Sequence, residues 1–184
     1  MKNFLYFIWE TAKIVIVALV IVVPIRYFLF QPFFVKGQSM EPNFENGDYL
    51  IIDEISYRLR SPERGEVVVF KYPQNPSQRY IKRIIGLPGE TIEVEDGKVI
   101  IFTENKPEIL DESGYIPYYL QTFGDTRIIL DENEYFVLGD NRTSSSDSRR
   151  WGVLPEENII GRVLLRAWPF TAFAKIEVPP YPVD

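Results

Sequence analysis

The sequence predicts a mainly β protein: an antiparallel β-sheet or barrel-like core with a small β-rich insertion, preceded by one N-terminal transmembrane helix. Three observations lead to this fold class. A long apolar stretch occupies residues 14–34. The rest of the chain divides into short segments rich in β-branched and aromatic residues, separated by Gly, Pro, Asn and Asp. Two of these segments flank Asp96-Gly97, a dipeptide typical of a tight β-hairpin turn.

The apolar stretch is predicted to be a membrane anchor. Residues 14–25 carry no charge, and residues 14–34 reach the roughly 20 residues that a spanning helix needs if Arg26 extends toward an interface. Lys2 and Lys13 precede the stretch and favour an N-terminus inside the cell, against the single Arg26 on the other side. We therefore expect a single-pass protein of the cytoplasmic membrane, with its main domain on the extracytoplasmic face.

A cleaved signal peptide is the alternative interpretation of this stretch. Such a peptide has a hydrophobic region of about 7–15 residues that ends at a small-x-small site. This stretch is longer, and no Ala-x-Ala lies near its end. A buried core helix is a further alternative, but the segment has no polar face. A retained anchor is favoured because aromatic residues follow the apolar core: Tyr27, Phe28, Phe30, Phe33 and Phe34.

The strands are predicted from short β-rich segments bounded by turn residues. Their even spacing favours antiparallel sheets or a barrel. They are residues 49–53, 66–72, 79–86, 91–101 (the hairpin around Asp96-Gly97), 127–130, 134–140 and 161–168.

The segment 103–126 shows weaker periodicity and several Pro and Gly residues, which indicates an excursion from the core. The predicted organisation is a cytoplasmic tip and anchor (1–34), a β core (35–102 and 127–176), a short insertion (103–126) and a C-terminal tail (177–184).

Composition excludes several kinds of chemistry. The 184 residues include no Cys and no His, which removes disulfides, thiol nucleophiles, Ser-His-Asp catalysis and nearly all zinc enzymes. No EF-hand, P-loop or GxGxxG motif is present, so we expect no cofactor and no metal, although carboxylates alone are able to hold Mg²⁺ or Ca²⁺. The net charge of −6 argues against a nucleic-acid partner. Hydrolytic chemistry is left to carboxylates, Lys, Tyr, Ser or Thr.

Ser39 follows the anchor directly, within VKGQSMEP. Gly37 permits close approach of a substrate to the backbone, and backbone N–H groups beside such a serine are suited to an oxyanion. A serine in a turn is also commonly structural, so this position alone does not decide between the two interpretations.

Lys82 lies within YIKRIIG, where alternation places it on one strand face with Tyr80 and Ile84. An apolar face disfavours the charged amine and lowers the pKa of the lysine, as a general base near neutral pH requires. The alternative interpretation is an edge-strand lysine that protects against aggregation.

The loop 139–152 is rich in hydrogen-bonding groups and follows a predicted strand. Its serine run is compatible with a flexible linker, but Trp151 and the flanking strands favour an ordered functional loop. The residues that would form a salt-bridged support are Asp140, Asn141, Arg142, Asp147 and Arg149.

Together these segments resemble the type I signal peptidase (leader peptidase) family, which are serine–lysine dyad proteases. The motifs are specific: Ser-Met-x-Pro, then Lys-Arg-Ile-Ile-Gly-Leu-Pro-Gly, then Gly-Asp-Asn-Arg. The resemblance covers the anchor and, beyond it, the blocks 37–58, 64–73, 80–94 and 139–155.

The resemblance implies a role for each residue of the site. Ser39 would be the nucleophile, Lys82 the general base, and Ser145 the residue that orients the lysine amine. Gly37 replaces a hydroxyl residue of some family members, so the oxyanion would rest on backbone N–H groups, chiefly that of Ser39. Structural ion pairs are implied for Asp147 with Arg149 and for Arg83 with Asp140; shallow substrate pockets are implied for Phe33, Val35, Met40, Phe44, Tyr80 and Ile81.

The implied activity is removal of N-terminal signal peptides from exported preproteins, with cleavage after small-x-small motifs. The implied partners are preprotein signal peptides in the membrane and the lipid bilayer itself. Four aromatic residues are suited equally to contact with the membrane interface or to ordinary packing: Trp151, Trp168, Phe170 and Phe173.

Two other functions are compatible with parts of the sequence. A catalytically inactive anchored β-domain that binds extracytoplasmic partners is disfavoured because Ser39, Lys82 and Ser145 are all intact. A self-cleaving regulator with the same chemistry is disfavoured by the spanning segment and by the lack of a helical DNA-binding domain.

Overall fold

The chain forms an N-terminal helix followed by two antiparallel sheets, as seen in a computed structural model that describes residues 2–28, 30–103, 106–179 and 181. Helix α1 spans Lys2–Phe28. Within the described part of the chain, no helix combines the length and the apolar character that crossing a membrane requires.

The predicted extension of the helix to residue 34 is wrong. Strand β1, Phe30–Phe34, replaces its last part. It pairs with β2, Tyr49–Asp53, in an unbroken register from Phe30 opposite Asp53 to Phe34 opposite Tyr49. The ladder satisfies the backbone of this segment, so an apolar run that is compatible with either helix or strand becomes a strand here.

The larger sheet contains eight strands, and β1 lies at one edge. The strand order is β1-β2-β11-β3-β4-β9-β10, with β12 paired to β11. Among the described residues no ladder joins β1 to β10, so the sheet does not close into a barrel. Its remaining strands are β3 (Val67–Tyr72), β4 (Asn75–Gly86), β9 (Glu134–Leu138), β10 (Leu154–Pro155), β11 (Ile159–Trp168) and β12 (Ala174–Lys175).

The smaller sheet holds the predicted hairpin. Its order is β7-β6-β5-β8, from strands β5 (Thr91–Glu95), β6 (Lys98–Thr103), β7 (Lys106–Ile109) and β8 (Thr126–Ile129). Asp96 and Gly97 both have positive φ, 50° and 78°, as a type I′ turn requires. The mainly β, antiparallel fold class is therefore confirmed, and all seven predicted segments contain strands.

Strand β4 positions the site because its environment changes along its length. Residues 75–79 are exposed, whereas residues 81–86 are buried. The buried half lies between β3 and β9, whereas the exposed half forms its ladder with β3. Lys82 lies at the start of the buried half, at the border between solvent and core.

Candidate active site

Ser39 and Lys82 meet through their side chains. The Lys82 Nζ lies 2.7 Å from the Ser39 Oγ, and it also donates a hydrogen bond to the Ile81 carbonyl at 2.8 Å. The separation falls within the range of about 2.6–3.2 Å that a nucleophile and its base require. The two residues are 43 positions apart in the chain, and the fold brings them together.

The Lys82 amine is largely withdrawn from water. The residue is only 4% exposed, and burial lowers the pKa of its amine to about 8, against the opposing effect of the Asp147 and Asp140 carboxylates. Burial disfavours the charged form, so a substantial fraction of the amine is neutral near physiological pH. A neutral amine has the lone pair that a general base needs.

A tight turn presents Ser39 to the lysine. Gly37 adopts a φ of 88°, a conformation that favours glycine, and the Gly37 N–H donates to the Asn46 Oδ1 at 2.9 Å. That N–H is therefore already engaged. Among the hydrogen bonds described for this turn, none uses the Ser39 N–H.

The loop 139–149 lies directly behind Ser39. The Asn141 N–H donates to the Ser39 carbonyl at 3.1 Å. Gly139 approaches so closely that a Cβ on it would lie 2.4 Å from the Ser39 carbonyl oxygen and 2.2 Å from the Ser145 Oγ. Only glycine fits this position without displacing the turn that carries Ser39.

Both predicted ion pairs are present, and both of their carboxylates are buried. Arg83, the residue after Lys82, donates to Asp140 at 2.8 and 2.6 Å. Arg149 donates to Asp147 at 2.8 Å, and the Gly139 N–H donates to the same carboxylate at 3.1 Å. Burial would raise the pKa of Asp147, but the hydrogen bonds from Arg149 and its positive charge outweigh that effect and lower it. The Arg83–Asp140 pair fixes the loop to the strand of Lys82, and the Asp147–Arg149 pair fixes the conformation of the loop itself.

Ser145 is buried at 4% exposure beside this loop. Its Oγ faces the Asp147 carboxylate and helps to lower the pKa of that group; among the described residues it forms no hydrogen bond with the Lys82 amine. The contact with the Lys82 amine that the resemblance implies is therefore not formed in this structure.

A cavity of about 560 Å³ opens in front of the Ser39–Lys82 pair. Of the predicted pocket residues, Phe33, Tyr80 and Ile81 line it. Three others do not line this cavity; they pack in the core with Ile81, because their side chains point inward from the turn: Val35, Met40 and Phe44. The further lining residues are Phe34, Lys36, Ser77, Gln78, Arg79 and Ser146.

The four aromatic residues suited to either membrane contact or ordinary packing differ in their exposure. Trp151 is half-buried and packs against Phe70, with ring centroids 5.9 Å apart. The other three are 52%, 74% and 60% exposed: Trp168, Phe170 and Phe173.

Sequence reasoning missed several residues of the site. Asn43 bonds the Asp140 carboxylate at 2.8 Å. Gly139 stood within the recognised Gly-Asp-Asn-Arg motif, yet nothing in the sequence showed how close it comes to Ser39. Glu112 pairs with Arg142 across 30 positions, and no local pattern indicates such a contact.

Comparison with known proteins identifies the family of the chain. The family model described as signal peptidase, peptidase S26, matches residues 8–168. A Synechocystis protein named "Probable signal peptidase I-2" is 39% identical over 165 residues, which cover 87% of this chain and 73% of that protein. The signal peptidase I of Leptolyngbya laminosa is 38% identical over 179 residues, which cover 93% and 85%.

A crystal structure of a signal peptidase I from Enterococcus faecalis is 32% identical and covers 56% of this chain and 97% of that one, with a TM-score of 0.46. The assignment rests on the family model and these two sequences. The chain belongs to the signal peptidase family, peptidase S26, and is a serine endopeptidase.

Proposed function

We propose that this peptidase removes N-terminal signal peptides from exported preproteins and cuts after small-x-small motifs, with Ser39 as nucleophile and Lys82 as general base. The observation that carries the proposal is the 2.7 Å contact between the Ser39 hydroxyl and a buried amine of lowered pKa.

The reaction is acyl transfer to water. The neutral Lys82 amine takes the Ser39 proton as the Oγ attacks the scissile carbonyl carbon. The Ser39 N–H faces the resulting oxyanion. The protonated amine then gives its proton to the leaving amine as the peptide bond breaks. Lys82 next takes a proton from a water molecule, which attacks the ester carbonyl carbon. As the bond from that carbon to the Ser39 Oγ breaks, Lys82 returns the proton to Oγ and the signal peptide leaves. If the Ser145 side chain rotated toward Lys82, its Oγ would accept a hydrogen bond from the amine. The lone pair of the Lys82 nitrogen would then point at the Ser39 hydroxyl.

Two strand edges beside the cavity support an extended peptide as substrate. β1 is an edge strand, and within the described ranges residues 75–78 of β4 form a ladder with β3 and with no other strand. Both edges border the cavity that holds Ser39 and Lys82. A peptide laid between them would form backbone hydrogen bonds with the protein. Phe33, Tyr80 and Ile81 would then limit the size of the side chains next to the cleaved bond.

Anchoring to the cytoplasmic membrane is part of the same proposal, with the N-terminus inside and the sheets on the extracytoplasmic face. Support comes from α1, whose described apolar side chains lie exposed along it, and from the exposed Trp168, Phe170 and Phe173. Anchored enzyme and membrane-held preprotein would share one plane, which raises their effective concentration. The exposed residues of α1 include Phe4, Phe7, Trp9, Ile14, Val15, Ile16, Val17, Leu19 and Val20.

The test is cleavage of a peptide with a single Ala-x-Ala by the full chain in detergent micelles. We expect cleavage after the second Ala, none by Ser39→Ala, and wild-type rates for the exposed-loop control Ser61→Ala. A peptide with Phe in place of the second Ala should resist. Cleavage by Ser39→Ala at the wild-type rate, or equal cleavage of the Phe peptide, would contradict the proposal.

A further inference from the structure

A buried arginine fastens the insertion to the loop behind the nucleophile. Arg142 belongs to the loop 139–149 and is 3% exposed. Its two terminal nitrogens donate to the two carboxylate oxygens of Glu112 at 2.8 and 2.5 Å, and one of them also donates to the Thr122 hydroxyl. Glu112 and Thr122 both belong to the insertion 103–126. A bidentate pair of this kind fixes direction as well as distance.

Arg142 also contacts a residue that packs against Ser39. Its Nε donates to the Gly139 carbonyl at 3.0 Å, and Gly139 is the residue packed against the Ser39 carbonyl. Asp140, one residue on, is bonded to Arg83 beside Lys82. A displacement of the turn 139–142 would therefore reach both members of the Ser39–Lys82 pair.

The insertion makes a second connection through Tyr115. The Tyr115 hydroxyl donates to the Glu112 carboxylate at 2.7 Å, and its ring lies 4.3 Å from the Arg83 guanidinium. Its carbonyl accepts a hydrogen bond from Asn43 at 2.7 Å, and Asn43 follows the nucleophile on the same turn. Glu112 thus joins two contacts that lead back to the site.

Electrostatics explain why this carboxylate matters. A buried charge that loses its partner is strongly unfavourable. Asp140 also attracts the Arg142 charge, so without Glu112 the arginine would be drawn toward a carboxylate that now holds Arg83. The competition would loosen the Arg83–Asp140 pair next to the lysine.

We propose that Glu112 is a positioning residue for the peptidase reaction: through Arg142 it holds the turn 139–142 in the place that aligns Ser39 with Lys82. The inference rests on the proposed function of that pair. Glu112 lies outside the cavity lining and acts only through its contacts. The insertion is therefore a support of the site, rather than an excursion from the core.

The test compares Glu112→Gln with Glu93→Gln in the full chain in micelles. Glu93 pairs with Arg127 at 2.8 Å on the smaller sheet. The Arg127 side chain is 61% exposed, so this glutamate–arginine pair is a matched control at the surface. We expect Glu112→Gln to lower kcat about tenfold or more, since small misplacements are costly, with KM within about twofold. Glu93→Gln should match the wild type. The assays are run at a temperature at which circular dichroism shows that all variants are folded.

A double variant separates positioning from general destabilisation. If both side chains act through one contact, Glu112→Gln combined with Arg142→Met should be no slower than Arg142→Met alone. Multiplicative losses would overturn the inference, as would a folded Glu112→Gln with wild-type kcat.

Hydrogen exchange tests the connection from Glu112 to the turn 139–142 without a measurement of catalysis. The Asn141 amide, bonded to the Ser39 carbonyl, should exchange faster in Glu112→Gln, while residues 91–95 of β5 remain unchanged. Unchanged Asn141 exchange would contradict the inference. Faster exchange in a chain whose wild type cleaves no peptide would uphold the structural link and count against the proposed function instead.

Discussion

Lys82→Met is expected to lower kcat by at least about 10⁴-fold, a loss of the size found when one member of a catalytic unit is removed. The methionine has similar length and no lone-pair nitrogen, so the Ser39 hydroxyl loses its base. The fold should tolerate the change, because Lys82 is 4% exposed and its replacement removes a desolvated amine from an apolar face.

The matched control is Lys71→Met, on the exposed end of the neighbouring strand β3, which should retain wild-type kcat. Initial rates of peptide cleavage give kcat for the wild type and both variants, and thermal unfolding shows whether each variant is folded. A folded Lys82→Met with kcat within about tenfold of wild type would show that another group removes the serine proton.

Gly139→Ala should be the next most damaging single change, with kcat lowered about 100-fold or more. The added methyl group would lie 2.4 Å from the Ser39 carbonyl oxygen and 2.2 Å from the Ser145 hydroxyl. Because the first of these atoms is backbone, relief requires the nucleophile turn or the loop to shift. Ser39 would then leave hydrogen-bond reach of Lys82.

Gly114→Ala provides the control for Gly139→Ala, since a Cβ there meets only Pro179, at an ordinary 3.6 Å. Peptide cleavage and thermal unfolding of both variants distinguish a displaced nucleophile from lost stability. Wild-type kcat in Gly139→Ala would mean that the close approach does not determine the position of Ser39.

The strands were predictable because the signal is local. Alternating β-branched residues and turn dipeptides such as Asp96-Gly97 depend only on near neighbours. The end of α1 was missed, because residues 30–34 are mostly apolar and continue the apolar stretch, and their pairing with β2 is not visible in the sequence. The motif around Ser39 and Lys82 indicated the pair, but its 2.7 Å contact depends on the whole sheet.

The supports of the site were hidden for a similar reason. Asn43 meets Asp140 across 97 positions, and Arg142 meets Glu112 across 30. Polar residues in loops are ordinarily solvated, so their types alone do not indicate burial. Met40 and Phe44 were assigned to the pocket by resemblance, but both are almost fully buried in the core.

The central claim is that a desolvated, neutral Lys82 amine deprotonates Ser39, and the most direct measurement is the pKa of that amine. Lysine labelled with ¹³C at Cε gives one signal per residue, and the signal lost in Lys82→Met identifies Lys82. We predict a midpoint of about 8, with kcat/KM rising through the same pH and falling tenfold per unit below it, because protonation removes the base. A Lys82 that titrates near 10.5 in an enzyme fully active at pH 7 would contradict the claim.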